Sequence, residues 1–175
     1  MTVFSKVTAL LLILATAACT NPNRFGGGAG GVNGQGGANG LNAGLAGSAS
    51  DPTSPAYFNQ TIGDRVLFAV DQSTISPTGQ AILDGQARWL LANADYRAVI
   101  EGHADEQGTR EYNLALGFRR ANAVREYLVS RGVPANRLEV TSFGKERPIQ
   151  ICSDESCYSQ NRRAVTVLSF SAITS

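Results

Sequence analysis

Polar and apolar positions follow two different rhythms along the second part of the chain, and no rhythm along the first. Arg65 to Val70, Arg-Val-Leu-Phe-Ala-Val, is rich in β-formers and predicts a strand. Asp71 to Ile75 is a polar turn with one apolar residue, and Ser76-Pro77 then opens a helix, with Ser as N-cap and Pro at the first helical position. That helix turns Ile82, Leu83, Ala87, Leu90 and Leu91 inward, sets Trp89 at the edge of the stripe, and ends at Asn93 to Asp95. Ala98 to Gly102 predicts a second strand. A long helix from Arg110 to Ser130 is stopped by Gly132 and Pro134. Leu138 to Ser142 and Ala164 to Phe170 predict two more strands.

Strands alternating with two helices predict an α/β domain over residues 58–175, a small sheet backed by helices in the order βαβαβ-β. Right-handed crossovers make helix-joined strands parallel neighbours or near neighbours. The last connection, through a cysteine loop, carries no helical period, so an antiparallel final pair and a mixed sheet are expected. In the long helix, Leu114, Phe118, Ala121, Val124 and Leu128 form an apolar stripe, and Arg119, Asn122, Glu126 and Ser130 lie opposite. Asn113 and Arg120 share a face bordering the stripe. Arg120 is therefore expected to lean on the domain and Arg119 to stand in water.

The first part of the chain reads differently. Lys6 and the apolar run Val7 to Ala18 form a targeting segment over residues 1–18, too short to span a bilayer comfortably. It ends in Ala15-Thr-Ala-Ala18 before Cys19, a layout that resembles the lipobox of bacterial lipoproteins, whose Cys is lipidated after cleavage. Thr16 departs from the usual Leu, and ordinary cleavage after Ala17 is the competing reading. Thr20 follows the Cys, where an Asp would retain an enteric lipoprotein in the inner membrane, so outer-membrane anchoring through acyl chains on Cys19 is expected. From Thr20 to about Tyr57 the chain holds most of its 19 glycines and has no apolar period, which predicts a disordered tether. Its r.m.s. span is roughly 35 Å.

A formal net charge of +1 points to no nucleic acid and no acidic surface. Export implies an oxidising compartment, so Cys152 and Cys157, separated by Ser-Asp-Glu-Ser, are expected to form a local disulfide; two free thiols or a metal pair are the alternatives. Zinc needs further ligands, and the chain has one His, so no metal and no cofactor are expected.

Candidate chemistry gathers between the second strand and the long helix, in Glu101-Gly-His-Ala-Asp-Glu-Gln-Gly-Thr109. A helix start presents free N–H donors and the positive end of its dipole, which suits an anion. Asp105 beside it suits an ammonium. Both signs at close range suit a zwitterion. His103, at the strand end, is expected to be a hydrogen-bonded structural residue, and Tyr112 and Phe68 core or groove wall. Arg162 and Arg163 fit either a docking patch for a partner or a solvated strand edge.

Glu101-Gly-His-Ala-Asp-Glu, Gly108-Thr109, Glu111-Tyr-Asn-Leu, Leu116-Gly, Arg119-Arg-Ala-Asn-Ala-Val124, Ser142-Phe-Gly-Lys-Glu and Asn161-Arg-Arg-Ala-Val165 together resemble the OmpA-like peptidoglycan-binding domain family over Val66 to Leu168. More narrowly, they resemble its lipid-anchored members of the Tol system. The resemblance implies a non-catalytic protein that grips diaminopimelate in the peptidoglycan stem peptide. Asp105 would take the ammonium, and Arg120 would pair with a carboxylate, to which its planar fork is suited. Backbone donors around Gly108, the side chains of Thr109 and Asn113, Asp71, and Leu116 would complete the site. It also implies TolB and other Tol proteins as partners, and roles in envelope integrity and outer-membrane constriction at division. Gln107, Arg110, Phe118 and Ala69 depart from frequent family residues, and the Cys152–Cys157 loop is not general. A wall-binding lipoprotein of a secretion or motility machine is the alternative. A peptidoglycan hydrolase is disfavoured, because no nucleophile with its base and no opposed carboxylate pair can be argued.

Overall fold

Gln86 and Thr166, buried side chains eighty residues apart, hydrogen-bond to each other at 2.8 Å between the second helix and the last strand. Around that contact the computed structural model describes residues 47–170. The elements are α1 (Pro55–Tyr57), running into a π turn at Phe58–Gly63, then β1 (Arg65–Leu67), α2 (Pro77–Ala92), β2 (Tyr96–His103), α3 (Arg110–Ser130), β3 (Leu138–Gly144), α4 (Glu155–Asn161) and β4 (Arg163–Phe170). The targeting segment, Cys19, most of the glycine-rich stretch and residues 171–175 lie outside the described residues.

The sheet order is β1-β4-β2-β3. β2 pairs parallel with β3, and β4 lies antiparallel to both β1 and β2. The sheet is therefore mixed, and each pair of strands joined by a long helix is parallel, as neighbours or next neighbours. α2 and α3 share one core with it, built from Val66, Leu83, Leu90, Ile100, Val124 and Leu128 among others. Among the described residues no helix is long and apolar enough to cross a membrane.

Three local differences from the sequence pattern have physical causes. The tether was expected to run to about Tyr57, but ordered contacts begin earlier: Trp89 Nε1 donates to Pro52 O at 2.7 Å, and Ser54 caps α1. Trp89 is thereby buried between Phe58 and Tyr96, with both ring centroids 5.0 Å away, while Leu91 turns to solvent. The cysteine loop, expected to be irregular, contains α4. Asp154 caps it by accepting from the N–H groups of Ser156 and Cys157.

The third difference is the rotation of α3. Its buried face is Asn113, Leu116, Gly117, Arg120, Ala121, Val124 and Leu128, whereas Leu114 and Phe118 are 47% and 51% exposed. Hydrophobic period alone puts Leu114 and Phe118 inside. A backbone contact decides otherwise: a Cβ on Gly102 would stand 1.8 Å from Gly117 O, so β2 and α3 touch where neither residue has a side chain. That approach points the line of Asn113, Gly117 and Arg120 at the sheet and swings Leu114 and Phe118 toward the β3 edge.

Candidate functional site

Five side chains or main-chain groups singled out from the sequence, Asp71, Asp105, Gly108, Asn113 and Leu116, line one cavity of about 300 Å³, completed by Val70, Gln107 and Tyr112. The loop from Ala104 to Thr109 forms one wall. Ala104 N donates to Gly144 O at 2.8 Å, and Asp105 Oδ1 accepts from Gln107 N at 3.3 Å, which turns the chain after β2. Gly108 closes the turn at φ +86°, a left-handed conformation that favours Gly.

Thr109 then caps α3, its Oγ1 accepting from Tyr112 N at 3.2 Å. Asn113 Nδ2 donates to Gln107 O at 2.7 Å, and Lys145 Nζ donates to Gly108 O at 2.7 Å and to Glu106 O at 3.3 Å. These bonds draw the loop carbonyls toward Asn113 and Lys145. Of the N–H groups at the start of α3, that of Tyr112 is taken by Thr109 Oγ1, and those of Arg110 and Glu111 lie before the first intrahelical acceptor. Thr109 and Asn113 thus shape the loop, and Asn113 also lines the cavity.

The opposite rim is Asp71, whose φ of +57° is unusual for a residue with a side chain. Its carboxylate accepts from the Tyr112 hydroxyl across the mouth of the cavity. That bond is the first cause of the rise in the Tyr112 pKa above its ordinary value. Tyr112 is groove wall, as expected, with a polar role that the sequence does not reveal.

Arg120 leans on the domain, as its helical position predicts, but is not among the residues lining the cavity. It is 0% exposed. Nε donates to Gln72 O at 2.7 Å, Nη1 to His103 O at 2.8 Å and Nη2 to Ala69 O at 3.0 Å. Burial pushes its pKa down to about 10, which leaves it cationic at neutral pH. The guanidinium therefore clamps the β1–α2 loop to the end of β2 and does not line the cavity. The cation on Asp105 is Arg162, with Nη1 3.1 Å from Oδ2.

A family model described as the OmpA family matches residues 67–162, more than half of the chain. The chain belongs to the OmpA family. It is 59% identical over 117 residues to the peptidoglycan-associated lipoprotein of Rhizobium meliloti, covering 67% of this chain and 66% of that one. It is 49% identical over 170 residues to the protein of the same name from Agrobacterium fabrum, covering 93% and 86%. Among solved structures it resembles the peptidoglycan-associated lipoprotein of Burkholderia pseudomallei, with a TM-score of 0.62 and 39% identity over 69% of this chain and 98% of that one. The C-terminal domain of Helicobacter pylori MotB, at TM-score 0.58 and 21% identity, covering 62% and 86%, shares the fold.

In this OmpA-family chain Arg162 and Arg163 are neither a docking patch nor a solvated edge: they are 4% and 5% exposed. Arg163 Nη2 donates to Arg147 O at 3.1 Å. Arg162 Nε donates to Phe68 O at 3.2 Å, and both its terminal nitrogens reach Glu155. The hydrogen bond from Arg162 holds the Glu155 carboxyl below the usual range. Cys152 and Cys157 are joined in a disulfide, and neither offers a thiolate to a metal.

His103 is structural, but without the hydrogen bond expected of it. Among the described residues neither ring nitrogen has a hydrogen-bond partner, Glu101 Oε2 stands 3.7 Å from Nε2, and the ring stacks on Phe143 with centroids 5.6 Å apart. Burial first, then Arg163 and Arg147, push its pKa down from 6.5 to about 4. Between those values the unfolded chain binds a proton that the folded chain refuses. The His103 contribution to stability is therefore present above pH 6.5 and is lost as pH falls toward 4. The loss is on the order of 2–3 kcal/mol. Urea midpoints at pH 7 and pH 4.5 should fall less for His103→Phe than for wild type; equal falls would show that His103 does not carry the effect.

Proposed function

We propose that this chain is a non-catalytic peptidoglycan-binding lipoprotein that holds the outer membrane to the cell wall. The observation carrying this reading is the cavity lined by the carboxylates of Asp71 and Asp105 together with Gly108, Tyr112 and Asn113, at the loop that leads into the start of α3. The stem peptide of peptidoglycan offers a matching pair in diaminopimelate, whose ammonium would meet Asp105 and whose carboxylate would meet the helix start. The name borne by relatives at 49% and 59% identity, peptidoglycan-associated lipoprotein, supports peptidoglycan as the partner.

Acyl chains on Cys19 would anchor the protein, since stable membrane residence takes more than one chain. Residues 20–57 would supply reach, and the domain over residues 58–175, with the preceding ordered turn, the grip. TolB and other Tol proteins are the partners this reading expects, in support of envelope integrity and outer-membrane constriction at division.

The test is sedimentation of the purified protein with sacculi. The protein is expected to pellet with them, to be released by free diaminopimelate, and to liberate no soluble wall fragments. Failure to pellet would overturn the wall-binding reading. Capture of TolB from a periplasmic extract tests the Tol assignment separately.

A further inference from the structure

Behind the cavity wall a chain of charges runs outward from Asp105. Arg162 Nη1 lies 3.1 Å from Asp105 Oδ2, and the same nitrogen donates to Glu155 Oε2 at 3.3 Å. Arg162 Nη2 goes to Glu155 Oε1, while Nε is held by Phe68 O. Glu155 therefore engages both terminal nitrogens of the guanidinium and Asp105 only one. Arg162 and Asp105 are buried, with side chains 5% and 11% exposed, whereas the Glu155 side chain is 67% exposed. Glu155 is nonetheless fixed in place. It is the first residue of α4, directly after the Asp154 cap and between the two cysteines of the disulfide.

This arrangement answers an electrostatic problem. A buried guanidinium against Asp105 orients the carboxylate but cancels the charge that an incoming ammonium needs. Asp105, Glu155 and Arg162 together carry a single negative charge, and Arg120, which interacts with both Asp105 and Arg162, and Asp71, which interacts with Arg120, add one charge of each sign and leave that balance unchanged. We propose that Glu155, a residue that does not line the cavity, sets the selectivity of the site for an ammonium-bearing ligand by neutralising Arg162, so that Asp105 is positioned and still attracts a cation. The inference rests on the reading of this cavity as the diaminopimelate site. Arg162 is the positioning residue, and Glu155 acts through it.

The test is a charge series at an exposed helix position, Glu155→Gln and Glu155→Lys, with Glu146→Lys as a control in the neighbouring loop, where Glu146 pairs with Arg110. Each protein is titrated by NMR with diaminopimelate and with pimelate, which has the same two carboxylates and no ammonium. Glu155→Gln should weaken diaminopimelate binding roughly threefold and Glu155→Lys roughly tenfold, modest factors because one partner of the chain is exposed. Pimelate binding should hold or tighten across the series, so the preference for the amine falls stepwise. The Glu146→Lys protein should keep the wild-type preference. A loss of the same size for both ligands would show that Glu155 merely supports the fold, and an unchanged ratio in both variants would overturn the proposal. Sacculus sedimentation of the wild type judges the wall-binding reading by itself: pelleting with an unchanged ratio leaves that reading standing and the inference refuted.

Discussion

Asp105→Asn is expected to abolish most sacculus binding while leaving the fold intact. The substitution keeps the shape of the side chain and an Oδ1 able to accept from Gln107 N, so the turn after β2 survives. Arg162, deprived of the carboxylate at 3.1 Å, keeps Phe68 O and Glu155. The ligand has no such reserve. Its ammonium enters a site where Asp105 is only 8% exposed, loses water, and finds a neutral amide beside a retained guanidinium. Removing one partner of a desolvated charge pair costs about 2–5 kcal/mol. At 1.4 kcal/mol per decade that is roughly thirtyfold to a few thousandfold in affinity. The check is sedimentation with sacculi beside a thermal melt. Wild-type pelleting by a folded Asp105→Asn protein would remove Asp105 from the site.

Much of this architecture is legible in the sequence because it depends on local signals. Ser76-Pro77 is a cap, Gly132 and Pro134 a stop, and the period of α2 and the β-formers of β2 and β4 identify themselves. The turn carrying Asp105 is legible for the same reason. What escapes the sequence depends on contacts between distant segments. The rotation of α3 follows from Gly102 meeting Gly117, which an amphipathic stripe cannot register. The pairing of Asp105 with Arg162 spans fifty-seven positions and is possible only because β4 begins beside the end of β2. A signal for it was present in the two consecutive arginines after Asn161, read instead as surface charge. α4 was hidden by its length, since seven residues give too little period to detect, although Asp154 is a visible cap.

Arg120→Ala is expected to injure the protein through its stability before its ligand. The sequence suggests an arginine waiting for a carboxylate, but the structure gives its three donor nitrogens to the carbonyls of Gln72, His103 and Ala69. Those carbonyls belong to two segments, the loop after β1 and the end of β2, and the guanidinium lies over Phe68 with Cζ 5.3 Å from the ring centroid. Truncation opens a cavity at a fully buried site and strands three acceptors at once. Each unsatisfied buried acceptor costs about 1–3 kcal/mol, and partial collapse with water entry reduces the sum, so a net loss of about 3–5 kcal/mol is expected. For a domain of this size that lowers the melting temperature by roughly 10–20 °C. The loop released is the one that carries Asp71, so the cavity loses a rim even in molecules that remain folded. Melting the Arg120→Ala protein without ligand separates the two roles. A large drop assigns Arg120 to the clamp; an unchanged melt together with lost sacculus binding would return it to direct ligand contact and require the guanidinium to leave its three carbonyls when the ligand arrives.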